Sequence, residues 1–437
     1  MTEQVRVTAR APVHWSRTPV IAIGLAGSTI LAAVGLVFSR PDVIGIGLPL
    51  ALATAWMLLR RPGDDVLSIE LRARPERSDG SSEVIAAADA VLDGDWLQIA
   101  VDQEEQRSGV ADVKVGSSVL TSRNRLQHSG PLELLGVTVR GVALDGAWVT
   151  EAAPRVALGW NTPPRHVRIG RLPVAPRLRG LHGAHEGSRP GQGGDFRDIH
   201  PFAPGDELRR VDWRATARAA RRPGELLVRR TATLSDSSVV IAVDTAEDLG
   251  TVVAAWGAHD ADRTGVTSLD LAREAALSIA TSAVGVGDRV AYHALSPGGL
   301  SLPSGGGARH LARVRDVIAA TGQSDEDSRY RRSPVVPAGS IVFVLSTFFD
   351  GVAAQLAIRW RAAGHAVVAV DVLPAPDESR LSREQRIALR TLLAERADIL
   401  VELRHAGVEV VAWTDQDVDV AMRLAALRQQ RVRTVRR

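Results

Sequence analysis

The sequence predicts an α/β protein with two N-terminal membrane-spanning helices, a β-sandwich-like middle domain and a C-terminal parallel sheet covered by helices on both faces. Three observations carry that expectation. Two apolar runs, Val20 to Phe38 and Val43 to Leu59, follow each other near the N-terminus. From about Val66 to Val156, short alternating runs recur between Gly, Asp and Ser. Beyond residue 233, buried-type strands alternate with amphipathic helical stretches, the pattern of a parallel sheet buried on both sides.

Each apolar run approaches the roughly 20 residues that cross a bilayer core. The intervening Ser39-Arg40-Pro41-Asp42 is short enough to make the pair a hairpin, and Gly24, Gly27, Gly35, Gly45 and Gly47 permit close helix packing. A signal peptide competes for the first run. The second run follows at once without a small-residue cleavage site, which argues against it. Arg6, Arg10 and Arg17 precede the hairpin and Arg60, Arg61, Arg72, Arg74 and Arg77 follow it, against Arg40 alone in the turn. The positive-inside rule then places both ends in the cytoplasm, as a two-span protein of the cell membrane. The expected organisation is a cytoplasmic tail over 1–18, the hairpin over 19–60, the β-rich domain over 61–160, a linker over 161–232, the α/β domain over 233–425 and a basic tail over 426–437.

In the β-rich segment the runs VLSIELRA, EVIAAADAVL, WLQIAVDQ, ADVKVGSSVL, LELLGVTVRGVAL and WVTEA are spaced as in an antiparallel sandwich. No catalytic cluster stands among them, which suits a scaffold. The linker is rich in Pro and Gly. Its His182 and His185, beside Glu186, have a spacing that could ligate a metal, but no further ligand joins them, and a surface loop is the plainer reading.

Residues 194–218, GDFRDIHPFAPGDELRRVDWRATAR, hold five Arg and five acidic residues among Phe196, Phe202 and Trp213. Such a mixture suits an ordered network in which carboxylates fix guanidinium forks against flat rings. Pro204-Gly205-Asp206 reads as a turn, and Asp212 and Arg214 flank Trp213 as candidate braces. The motif is either an interdomain weld or a docking surface.

The α/β segment reads SSVVIAVDT, LDLAREAALSIATSAVG, DRVAYHAL, ARHLARVRDVIAAT, SIVFVLST, VAAQLAIRWRAAG, AVVAVDVL, SREQRIALRTLLAERADILVELRHAG and VEVVAWTD, strand and helix in turn, closed by the helix DVAMRLAALRQQ. Ligands in such folds bind beyond the carboxyl ends of the strands, so Asp244, Ser346, Thr347 and Asp371 mark the functional edge.

Composition removes several chemistries. No Cys is present, so disulfides, thiol nucleophiles and Cys-ligated zinc are excluded. Lys114 is the only Lys and stands in no phosphate-binding loop, which argues against an ATPase. A formal charge of +3 is too small for a strongly cationic surface.

GDFRDIHPFAPGDELRRVDWRATARA, followed by LLVRR and a strand ending VDT, resembles the domain of unknown function 58 family. What that resemblance implies is a membrane-anchored protein with a von Willebrand factor A-like domain, associated with MoxR-type AAA+ ATPases and acting as a non-catalytic interaction or assembly factor. The motif residues carried over are Asp195, Phe196, Arg197, Pro204, Gly205, Asp206, Arg209, Asp212, Trp213 and Arg218. Von Willebrand A domains hold Mg²⁺ through a D-x-S-x-S pattern and later Thr and Asp ligands. Here Asp244 matches, Ala246 cannot ligate and Asp248 replaces the second Ser, so Asp244, Asp248 and Thr347 are what remains of that site and an eroded one is expected. No other cofactor is expected.

Two other function classes remain. Arg165, Arg168, Arg171, Arg177 and Arg179, the Arg218–Arg230 group and the tail Arg428, Arg431, Arg433, Arg436 and Arg437 could bind anionic lipid or nucleic acid, although no sequence-specific nucleic-acid motif is present. An enzyme would need a nucleophile–base pair or a metal with a base. His200 is the one His to test.

Overall fold

A computed structural model describes residues 5–63, 66–78, 81–92, 94–103, 108–116, 120–169, 172–173, 185–204, 206–219, 222, 224–235, 237–256, 265–324 and 333–413, with side chains left aside at 77–78, 81–82, 185–197 and 230–235. The closing helix and basic tail read from the sequence lie outside these residues, as do His182, Arg171, Arg177 and Arg179. The chain divides into two compact units. The first comprises Met1–Gln127, Pro131–Asn161 and Asp260–Asp262, and the second comprises His128–Gly130, Thr162–His259 and Arg263–Arg437.

The first unit begins with β1 (Val5–Pro12) and β2 (Trp15–Arg17), continues through α1 (Pro19–Val37) and α2 (Pro41–Leu59), and is completed by eight strands. These are β3 (Val66–Ser78), β4 (Ser81–Val91), β5 (Trp96–Asp102), β6 (Gly109–Lys114), β7 (Leu120–Arg125), β8 (Gly130–Ala143), β9 (Trp148–Thr150) and β10 (Val156–Thr162). One sheet has the order β1-β3-β4-β7 and the other β2-β9-β8-β5-β6, with β10 added to β8. Leu67, Ile69, Leu71, Val84 and Ala86 of the first sheet and Leu97, Ile99, Val137, Val139 and Trp148 of the second share one core. Alternation in each strand sends these residues inward, which is what a two-layered antiparallel unit requires.

Residues 5–17, read from the sequence as part of a tail, are instead strands. β1 pairs antiparallel with β3 from Val5↔Ala73 to Pro12↔Val66, and β2 pairs with β9. The run VRVTARAP alternates apolar and polar side chains, and its partner lies on the far side of the hairpin. The run ADVKVGSSVL is split: β6 ends at Lys114 and β7 begins at Leu120.

Both long helices are long and apolar enough to cross a membrane. They pack through small residues. A Cβ placed on Gly24 would stand 2.5 Å from Thr54 Oγ1, and one on Gly47 would stand 3.1 Å from the Leu31 Cβ. Ser28 and Thr54 are buried, and their hydroxyls bond the Leu25 and Leu50 carbonyls of their own helices at 2.9 and 2.7 Å.

In the second unit β11 (His185–Pro201) pairs antiparallel with β12 (Leu227–Ser235), with the short α3 (Trp213–Ala219) between them. The remaining elements are β13 (Ser238–Asp244), α4 (Ser268–Gly285), β14 (Arg289–Leu295), β15 (Ser301–Gly305), α5 (Ala308–Ala319), β16 (Ile341–Ser346), α6 (Val352–Ala362), β17 (Ala366–Asp371), α7 (Arg383–His405) and β18 (Glu409–Ala412). The sheet order is β15-β14-β13-β16-β17-β18, parallel except for β15, an antiparallel edge strand not anticipated from the sequence. Counted within the sheet, this is the 3-2-1-4-5-6 order of doubly wound folds.

The central strand shows why periodicity works here. Val239, Ile241 and Val243 join α4 and α5 in one core, while Val240 and Ala242 join α6 and α7 in the other. Capping boxes start two of the helices, Thr267 with Asp270 for α4 and Ser382 with Gln385 for α7.

Candidate functional site

The strand order reverses between β13 and β16, and the crevice beyond their carboxyl ends is where such sheets place ligands. Asp244 closes β13 and Ser346 closes β16. Ser346 Oγ donates to Asp244 Oδ2 at 2.7 Å and accepts the Phe348 amide at 2.9 Å. One residue on, Thr347 Oγ1 donates to Glu247 Oε2 at 2.8 Å. Arg396, on α7, reaches the same edge: its Nε donates to the Thr347 carbonyl at 2.6 Å, and its Nη2 contacts Asp371 Oδ1 in an ion pair without hydrogen-bond alignment. The guanidinium also lies 5.4 Å from the Phe349 ring centre, and Phe349 meets Trp256 edge-on at 5.8 Å.

Phe348 is fully buried with φ of 59°, a left-handed conformation that is costly for a bulky residue. Such strain persists where the surroundings enforce it, and it collects at functional sites. Electrostatics point the same way. Burial, followed by the charges of Asp350 and Asp244, pushes the Glu247 carboxyl up, against the lowering effect of the Thr347 hydrogen bond. Partial desolvation and the Asp244 charge push Asp350 up despite its exposed position. Among the described residues the Thr245 hydroxyl, 1% exposed, has no hydrogen-bond partner.

The expected edge residues Asp244, Ser346, Thr347 and Asp371 are therefore brought together by one hydrogen-bonded edge. The expected metal ligands are engaged separately. Asp244 takes Ser346 and, through Oδ1, the Ala246 amide at 3.2 Å; Asp248 Oδ1 accepts the Leu269 amide of α4 at 3.2 Å; Thr347 is held by Glu247. Among the described residues no group of three or more His, Asp or Glu side chains is set to hold a metal ion.

Sequence reading missed Glu247 and Arg396. A signal for Arg396 exists: Leu389, Leu393, Arg396, Leu400 and Leu403 follow one helical stripe in which Arg396 alone is charged. A charge at a core position needs a buried partner, which the carboxylate of Asp371 supplies.

The motif of 194–218 lies in the same unit. Asp195, Phe196 and Arg197 belong to β11, and their side chains, like all of Gly205, are outside the described set. The expected turn is present: Asp206 N–H donates to the Ala203 carbonyl at 3.0 Å across Pro204, and Asp206 Oδ2 accepts the Ala203 amide at 2.9 Å. Arg209 pairs with Glu207 on the surface, and Arg218 stands in the last turn of α3.

The expected bracing of Trp213 by Asp212 is corrected. Asp212 Oδ1 accepts the Ala215 amide at 2.9 Å, so it caps α3, while Trp213 points outward at 67% exposure. A short helix needs its free amides capped more than it needs a braced ring. Val211, Leu227 and Val228 anchor the motif beneath, and Leu208 stands 65% exposed. Among the described residues His200 Nδ1 has no hydrogen-bond partner.

Comparison with known proteins adds a family likeness. The chain is 27% identical over 285 residues to an uncharacterized protein of Mycobacterium bovis, a match covering 57% of this chain and 84% of that protein. Uncharacterized proteins of two Mycobacterium tuberculosis strains match at the same identity and coverage. No solved structure matches with significance. Residues 198–399, from the motif through most of α7, match the family described as Protein of unknown function DUF58.

Proposed function

We propose that this chain is a membrane-anchored, non-catalytic interaction or assembly protein, held by the α1–α2 hairpin with both ends in the cytoplasm. Its second unit serves as a von Willebrand A-like body that engages a MoxR-type AAA+ ATPase as client or adaptor. The observation that carries the reading is the outward display of Trp213 and Leu208 beside Arg209. An exposed indole and leucine next to a guanidinium have the composition of an interface hot spot. The 3-2-1-4-5-6 sheet and the strained edge at Phe348 support a von Willebrand A-like body. The absence of a phosphate-binding Lys loop fits a protein that depends on a partner for ATP chemistry.

The test is co-purification of the full chain from detergent-solubilised membranes with and without a non-hydrolysable ATP analogue. Wild type is expected to retain an AAA+ ATPase, and a Trp213→Ala/Leu208→Ser variant is expected to lose it with unchanged thermal stability. Absence of such an ATPase under both nucleotide conditions would sink the proposal.

A further inference from the structure

We propose that the end of the hairpin nearest the β-sheets carries a headgroup site for anionic phospholipid, formed by Arg17 and Arg60. Arg17 precedes α1 and Arg60 follows α2, so in an antiparallel hairpin both stand at the same end. Each guanidinium rests on an indole: Arg17 lies 5.5 Å from the Trp148 ring centre and Arg60 lies 4.3 Å from that of Trp56. Among the described residues neither side chain pairs with a carboxylate. A planar cation backed by a ring keeps its N–H edge free to fork onto a phosphate.

The Trp148 indole is itself fixed. Trp148 Nε1 donates to the Met57 carbonyl in the last turn of α2 at 2.8 Å, and Trp15 Nε1 donates to the Gly63 carbonyl at 3.0 Å. Thr18 ties the start of α1 to the β8–β9 turn, through N–H to the Ala147 carbonyl at 3.0 Å and through Oγ1 to the Gly146 carbonyl at 2.6 Å. Ile21, Met57 and Leu58 pack into the core of the β-sheets. The helix ends are thus seated on the sheets, and the ring behind Arg17 is held in place by α2. Because the Thr18 hydroxyl is turned to Gly146, it does not cap the first-turn amides of α1, which add donors at the same level.

The occupant follows from position and charge. Trp at the end of an apolar span sits at headgroup depth, and basic residues there meet the phosphates of anionic lipids. The site rests on the reading of α1 and α2 as membrane spans, so the first measurement is alkaline carbonate extraction of the full chain. Release from the membrane would overturn both the spans and the site. With the chain retained, native mass spectrometry of the detergent-solubilised protein then compares short-chain phosphatidylglycerol with phosphatidylcholine of equal chain length, using inorganic phosphate as competitor.

Wild type is expected to prefer phosphatidylglycerol. Arg17→Gln and Arg60→Gln should each weaken it about five-fold and together about thirty-fold, from the usual contribution of one basic residue at an anionic surface. Arg140→Gln, on the sheet surface, should leave binding unchanged. Equal affinity of wild type for the two lipids, an unchanged preference in the double variant, or displacement by phosphate at equal concentration would each overturn the site. The wild-type comparison stands even where a variant fails to fold.

Discussion

Removing the Arg396 guanidinium should be among the most damaging single changes in the second unit. Arg396 is 8% exposed, ion-paired with Asp371 and bonded through Nε to the Thr347 carbonyl at 2.6 Å. Arg396→Met keeps the length of the apolar stem and deletes every donor. The lost charged hydrogen bond contributes about 1.5–3 kcal/mol. The larger effect is the Asp371 carboxylate, left without its counter-charge at 15% side-chain exposure. Breaking a buried pair on one side costs about 3–5 kcal/mol. The Leu373 amide still reaches Asp371 Oδ1 at 3.0 Å, which places the expected cost at the lower end of that range. For a unit of this size, about 3 kcal/mol corresponds to a Tm lower by about 6–12 °C.

The assay is thermal unfolding of the full chain in detergent, followed by the fluorescence of Trp360 and Trp413, both buried in that unit. Arg396→Met/Asp371→Asn should unfold at a higher temperature than Arg396→Met alone, because no uncompensated charge remains. A cost below about 1 kcal/mol for Arg396→Met, or a double variant whose cost is the sum of the singles, would refute the reasoning.

Three further outcomes are expected. Glu247 has a folded-state pKa raised above its ordinary value of 4.5, so the stability linked to its protonated form is fully present below that value and is lost as pH rises through the folded one. Glu247→Gln, which keeps an oxygen for the Thr347 hydroxyl, should therefore raise Tm at about pH 7 and give no gain near pH 4; an equal shift at both would contradict it. Tyr292 is fully buried, its hydroxyl donating to Thr321 Oγ1 at 2.8 Å, and burial pushes its pKa up to about 12. Thr321→Val strands that hydroxyl, at about 1–3 kcal/mol, and should destabilise more than Tyr292→Phe in urea titration. Because the chain has no Cys, Leu31→Cys/Gly47→Cys should form a single disulfide on mild oxidation, read as a mobility shift reversed by reductant, whereas free thiols after oxidation would mean that the helices do not cross there.

Much of the candidate site was legible because strand ends are local. SSVVIAVDT and SIVFVLST are short apolar runs closed by polar residues, so Asp244, Ser346, Thr347 and Asp371 could be assigned to one sheet edge without coordinates. Arg396 was less legible, since its partner lies on a different element and only the break in a leucine stripe hints at it. The direction in which Trp213 faces was not legible at all. Asp212 had two competing uses, and the need of α3 for a cap prevailed.

The sequence by itself determined the long helices, most strands of the β-rich segment and the parallel strands of the second unit, through hydrophobic periods that each element carries within its own few residues. It also marked two runs long and apolar enough to span a bilayer; β1, β2, β11, β12 and β15 were not read from it. Only the tertiary structure decided what pairs with what. Residues 5–12 became a strand because β3, on the far side of the hairpin, offered an unpaired edge and a matching inward face. β15 took its antiparallel place because the loop after β14 could return directly to that strand. The contacts among Ser346, Asp244, Thr347, Glu247, Arg396 and Asp371 join elements far apart in the chain, and no local pattern encodes them; they follow from burying polar groups at one edge, where each must find a partner or bear the cost of going without.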